Sequence, residues 1–70
     1  MSDIDTRTGI LEALYASYVA EEKIANANLN NYLNNAAGIG EHPDIVSEAK
    51  KLLEQIGSAR ANRDMVKSLL

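Results

Sequence analysis

Apolar side chains recur in alternating steps of four and three residues on both sides of a short segment that contains glycine and proline. Each series averages about 3.5 residues per step, the period of α-helices that pack along a common line. No alternating run of useful length competes with this pattern. It predicts an all-α fold, an antiparallel two-helix hairpin resembling a coiled coil, with helices over about 3–37 and 43–69.

We use the word seam for the line of residues along which the two predicted helices face each other. Two polar residues, Glu22 and Arg63, fall in the same series and are expected to form a pair in the seam. In an antiparallel arrangement Leu29 faces Leu52, although a shift of one helical turn stays open. The predicted apolar seam core consists of Leu11, Tyr15, Tyr18, Ala25, Leu29, Tyr32, Ile45, Ala49, Leu52, Ile56 and Val66.

The segment 38–42 is predicted to be the turn between the helices. Gly38 suits the left-handed position just past a helix end, and Gly40 follows it closely. Pro43 suits the first turn of the next helix, where its missing N–H needs no partner. Asp44 adds negative charge near the positive end of that helix. His42, between acidic neighbours, is interpreted as turn chemistry, since one histidine provides too few ligands for a metal site.

Two glycines leave the helix boundaries open. The first helix begins at Ser2 or Asp3 if Gly9 is tolerated within it, and at Thr8 if it is not. Gly57 interrupts the second series, and Ser58 would be a suitable N-cap residue for a third helix. Because the four-three pattern continues through Gly57, we favour a single second helix.

The chain has 70 residues, a formal net charge of −3 and no cysteine. A domain of this size buries a small core, so residues 1–70 form one marginally stable domain. The helices also carry more apolar residues than one seam uses, which favours a homo-oligomer, most simply a dimer that forms a four-helix bundle. No apolar stretch is suited to crossing a membrane, and we expect a cytoplasmic protein.

A nucleic-acid-binding hairpin dimer is the alternative function. Its candidate basic patch consists of Arg60, Arg63 and Lys67 on the second helix. Acidic residues such as Asp64 interleave with these bases, and such a run is typically a solvated helix face. The sequence therefore favours a protein partner over nucleic acid.

The sequence offers no set of residues typical of an enzyme. It has no glycine-rich phosphate loop and no assembly of serine, histidine and aspartate. We therefore expect no catalytic residues, no cofactor and no metal.

The segment 32–46, YLNNAAGIGEHPDIV, resembles the central part of short uncharacterised proteins from tailed marine bacteriophages. The resemblance covers about 15 residues and implies a helical hairpin, a phage origin and the host cytoplasm. It implies turn-forming roles for Gly38, Gly40 and Pro43, and a polar face made by Glu41, His42 and Asp44. It implies no activity, so the function predicted here is a non-enzymatic module for protein interaction or assembly.

Overall fold

The protein consists of two long α-helices that pack side by side in opposite directions. The computed structural model describes the backbone of residues 3–39 and 44–70, and the side chains of residues 5–35 and 44–70. Helix α1 spans Asp3–Ile39 with 37 residues, and helix α2 spans Asp44–Leu69 with 26 residues. Arg7 near the start of α1 contacts Leu69 at the end of α2. The predicted all-α hairpin is thus confirmed.

The core of the hairpin is a thin line of apolar residues between the helices. Among the side chains that the structure describes, the buried ones are all apolar: Leu11, Ala25, Ile56, Ala59 and Val66. Most other residues of the predicted seam are half-buried, among them Tyr15, Tyr18, Leu29, Tyr32, Ile45, Ala49 and Leu52. This gradient is expected of two helices alone, because each side chain on the seam is covered from one direction only.

Two alanines mark the most completely buried positions of the seam. Ala25 on α1 and Ala59 on α2 are each only 1% exposed, and Ile56 lies one turn from Ala59. Small side chains let helix axes approach closely, so that neighbouring larger side chains cover them. The middle of the hairpin is therefore its most tightly closed part.

The end of α1 differs from the sequence prediction. The helix continues to Ile39, so Gly38 lies inside its last turn and not just past its end. Glycine is permissive and adopts helical dihedrals as readily as left-handed ones, so its presence does not fix the terminus. Residues 40–43, which include Gly40, Glu41, His42 and Pro43, lie outside the described residues. Asp44 is the first residue of α2.

Both interior glycines lie within continuous helices. Helix α1 begins at Asp3 and passes through Gly9, and α2 passes through Gly57 without a break. The favoured prediction of a single second helix is therefore confirmed, and Ser58 lies inside α2. Leu70 follows α2, and its N–H donates to the carbonyls of Val66 and Lys67, both at 3.2 Å.

The hairpin is markedly elongated. Its Cα atoms span 56 × 15 × 13 Å, and their radius of gyration is 16.5 Å, whereas a compact domain of this length has about 11 Å. Because α1 is the longer helix, its first turns extend past the end of α2. We call this end of the hairpin, where α1 begins and α2 ends, the open end. Within the described residues, neither helix has a segment long and apolar enough to cross a membrane.

Candidate functional site

A cluster of charged side chains joins the two helices near the middle of the hairpin. Glu22 accepts hydrogen bonds from Arg60 Nε at 2.8 Å and from Arg63 Nη1 at 2.7 Å, using a different carboxylate oxygen for each. The Glu22 side chain is only 13% exposed. Charge-assisted hydrogen bonds of this length are among the stronger polar contacts in proteins. The cluster therefore ties α1 to α2 at a fixed register.

The same contacts change the interpretation of the basic patch. Arg60 and Arg63 both direct their guanidinium groups to Glu22, and Arg63 also contacts Asp64 Oδ1 at 3.2 Å. Lys67, the third member of the patch, is exposed. The positive charge of both arginines is thus largely balanced by carboxylates of the same chain, which weakens its attraction for phosphate groups.

An apolar groove lies at the open end, where α2 stops against the side of α1. Its volume is about 440 Å³, and it is lined by Thr6, Arg7, Ile10, Leu11 and Leu69. Arg7 Nη2 donates to the carbonyl of Leu69 at 3.0 Å and so satisfies one of the terminal acceptors of α2. The sequence pattern did not predict this contact. Helical periodicity identifies the residues that face each other across the seam, whereas the long Arg7 side chain reaches past them.

A second, polar groove lies on the same side of the hairpin, nearer the turn. It is lined by Asn28, Asn31, Tyr32, Glu48 and Leu52. The side-chain amide of Asn35 donates to the backbone oxygen of Asn31 at 2.9 Å and to its side-chain oxygen at 2.7 Å. Their spacing of four residues could have predicted this pair, since such positions are neighbours on a helix. The asparagine-rich part of α1 thus forms an ordered amide surface.

The two sides of the hairpin differ in the number and placement of their charged residues. On the side with both grooves, the charged residues whose side chains are described are Glu21, Asp44, Glu48 and Lys51, with Arg7 at the outer edge. We call this side the charge-poor face. By helical spacing it comprises Ile10, Leu14, Ser17, Glu21, Ile24, Asn28, Asn31 and Asn35 of α1, and Asp44, Glu48, Lys51, Gln55, Ser58, Asn62, Met65 and Leu69 of α2.

The opposite side carries more charges, and they are spread along its length. Its charged residues are Asp5, Glu12, Lys23, Lys50, Arg60, Asp64 and Lys67. It also exposes Leu33, Val46 and Leu53 near the turn. Lys50 lies between Val46 and Leu53 along α2, so its charge interrupts this apolar patch.

Large apolar side chains remain exposed on both helices. Of the described residues, the large apolar ones that are exposed are Ile10, Leu14, Ile24, Leu33, Val46, Leu53, Met65, Leu69 and Leu70. They outnumber the five buried apolar residues, two of which are alanines. Single exposed apolar residues are ordinary, but a surplus grouped on a small protein is typical of an interaction surface.

The tyrosines of the seam and the acidic residue at the start of α2 lie at separate positions of the hairpin. Tyr15, Tyr18 and Tyr32 are half-buried along the seam, and Asp44 is exposed at the start of α2. In the ranges that the structure describes, no three side chains of the histidine, cysteine, aspartate or glutamate type come together as a metal site. His42 lies outside these ranges.

Comparison with known proteins finds no matching family model, no matching curated protein and no matching solved structure.

Proposed function

We propose that the protein is a non-enzymatic interaction module, a small helical hairpin that self-associates and takes part in protein assembly. The observation that carries this proposal is the excess of exposed over buried large apolar side chains. Burial of apolar surface is the main favourable contribution to protein association. A second hairpin can cover these exposed apolar side chains without any change of fold, because two hairpins together make a four-helix bundle.

The shape of the hairpin supports the same proposal. Its accessible surface is 5220 Å², whereas a compact monomer of this mass exposes about 4300 Å². A marginal core combined with a large surface is typical of chains that gain stability by assembly. The phage origin implied by the turn segment stays a prediction.

The test is the absolute mass in solution, measured by size-exclusion chromatography with light scattering over a dilution series. We expect about twice 7.6 kDa at high concentration and a shift towards the monomer on dilution. A folded protein that stays monomeric at every concentration would contradict self-association.

The alternative function is tested by titrating labelled RNA and DNA at low and high salt. Nucleic-acid binding through Arg60, Arg63 and Lys67 requires an affinity that falls steeply with salt, because phosphate contacts release counterions. The pairing of both arginines with Glu22 favours the opposite result, which is no measurable binding at low salt.

A further inference from the structure

We infer that the charge-poor face binds a second copy of the chain, with the open ends of both copies at the same end of the dimer. This inference rests on the proposed self-association and adds to it the face and the orientation of the partner. It follows from three features of the described residues: the surface area, the distribution of charge, and the separation of apolar and amide side chains along the face.

The surface area is of the size that a stable dimer needs. The hairpin exposes 5220 Å², about 900 Å² more than a compact monomer of its mass. A standard protein interface buries about 800 Å² on each partner. Covering one long side of the hairpin therefore removes a surface excess of the expected size.

The charge distribution selects which side is covered. The centres of protein interfaces are depleted of charged residues, and polar side chains there need hydrogen-bond partners. On the charge-poor face Glu48 already pairs with Lys51 at 3.2 Å, and Arg7 at the edge donates to the carbonyl of Leu69. This leaves Glu21 near the middle and Asp44 at the start of α2, away from the centre of the face. The opposite side carries charges along its whole length, including Lys23, Lys50 and Lys67.

The order of side chains along this face selects the orientation. Ile10, Leu14, Met65 and Leu69 lie near the open end, whereas amides and the Glu48–Lys51 pair lie towards the turn. With both open ends together, apolar side chains meet apolar side chains. The amides then meet amides and charges, and an amide can both donate and accept hydrogen bonds. Opposed orientations that overlap fully would place the apolar end on the amide end.

This orientation also gives favourable helix packing. Rotation about an axis parallel to the helices places α1 of each copy against α2 of the other, so that all neighbouring helices are antiparallel. Ile10 and Leu14 then face Met65 and Leu69 of the second copy. The apolar groove, which Ile10 and Leu69 help to line, lies within this contact and becomes covered.

The first test compares two substitutions at similarly exposed apolar residues of α2, one on each side of the hairpin. Met65 lies on the charge-poor face and is 63% exposed, whereas Leu53 lies on the opposite side and is 58% exposed. We expect Met65→Glu to raise the dimer dissociation constant at least tenfold, because it adds a charge to a desolvated contact. Leu53→Glu is expected to leave it within about twofold.

The second test measures the orientation with a single spin label. The chain has no cysteine, so Asn34→Cys provides one labelling site. Asn34 is exposed near the turn and points away from the seam. With both open ends together, the two labels of a dimer lie within about 30 Å of each other. With full overlap in opposite orientations the distance is about 45 Å, and contact through the open ends alone gives more than about 70 Å.

The outcomes separate this inference from the proposed function. A dimer that Leu53→Glu weakens as much as Met65→Glu, or whose label distance is about 45 Å or more, would overturn the inference and leave self-association in place. A wild-type chain that is monomeric throughout would overturn both. Circular dichroism of each variant shows that it keeps its helices, and an excess of unlabelled protein should remove the dipolar signal.

Discussion

Among single residues, Glu22 joins the two helices through hydrogen bonds to two arginines of α2. Its carboxylate receives hydrogen bonds from Arg60 and Arg63 and is mostly withdrawn from solvent. A polar group inside a helical seam fixes the register, because any shift separates it from its partners. The cluster therefore contributes to the uniqueness of the hairpin as well as to its stability.

We predict that Glu22→Gln destabilises the hairpin by ~1–3 kcal/mol, because it leaves two arginines without their shared carboxylate in a partly desolvated site. Glu48→Gln is the matched control. Glu48 also forms an ion pair, with Lys51, but both side chains are well exposed, so its loss is expected to cost less than ~0.5 kcal/mol. Urea denaturation of both variants at one protein concentration measures the difference. Equal losses of stability would show that the Glu22 cluster is no stronger than a surface pair.

Only part of this site could be predicted from the sequence. The four-three pattern places Glu22 and Arg63 in the same seam. In the structure, Arg63 Nη1 lies 2.7 Å from Glu22 Oε1. Arg60 of α2 lies outside that series, yet it contacts Glu22 of α1. Arg7 lies near the start of α1, before its predicted seam residues, yet it contacts Leu69 at the end of α2. Long arginine side chains reach across several positions, so backbone periodicity does not determine their partners.

At the level of the elements, α2 is a single helix despite a glycine in its middle. Gly57 is exposed, and a Cβ atom built on it would meet no atom within 4 Å. The helix therefore gains nothing in packing from the missing side chain. It loses stability, because glycine is more flexible than other residues in the unfolded chain.

We predict that Gly57→Ala stabilises the hairpin by ~0.5–1 kcal/mol, since alanine is the better helix former and has room for its methyl group. Thermal unfolding followed by circular dichroism should show a higher Tm for the variant. Gly9→Ala, where a Cβ is equally unobstructed, provides a second measurement nearer the start of α1. A lower Tm for Gly57→Ala would mean that the glycine has a role in contacts outside this chain.

The existence of both helices was predictable because a strong period over many residues averages out local exceptions. Their ends were less predictable. Gly38 indicated a terminus before residue 38, whereas α1 continues to Ile39. A glycine that follows a helical pattern is compatible with a cap and with a final turn, and the pattern itself does not distinguish the two.

At the level of the whole molecule, the separation of charge between the two sides could not be predicted from composition. The net charge of −3 describes neither side of the hairpin. The difference emerges only when the two helices are placed in register, because each side combines residues from both. The seam could be recognised from the four-three spacing of apolar residues in the sequence. The charge-poor face could not, because it depends on how α1 pairs with α2.

We predict that dimer formation doubles the scattering mass with little increase in length. The Cα radius of gyration of one hairpin is 16.5 Å. Adding a second copy side by side at an axial separation of about 10 Å raises this value by less than about 1 Å. Small-angle X-ray scattering over a concentration series measures mass and size together. An end-to-end dimer would instead show a maximum dimension close to twice that of the monomer.

The contact between Arg7 and Leu69 also bears on the lifetime of the folded state. It joins residues 62 positions apart, and closing a longer loop costs more conformational entropy. We therefore expect contacts at the open end to form late in folding and to contribute little to its transition state. A second copy bound across this end would lower the rate of unfolding and leave the rate of folding nearly unchanged. Assembly would then slow unfolding, because the dimer would have to dissociate before either hairpin could unfold.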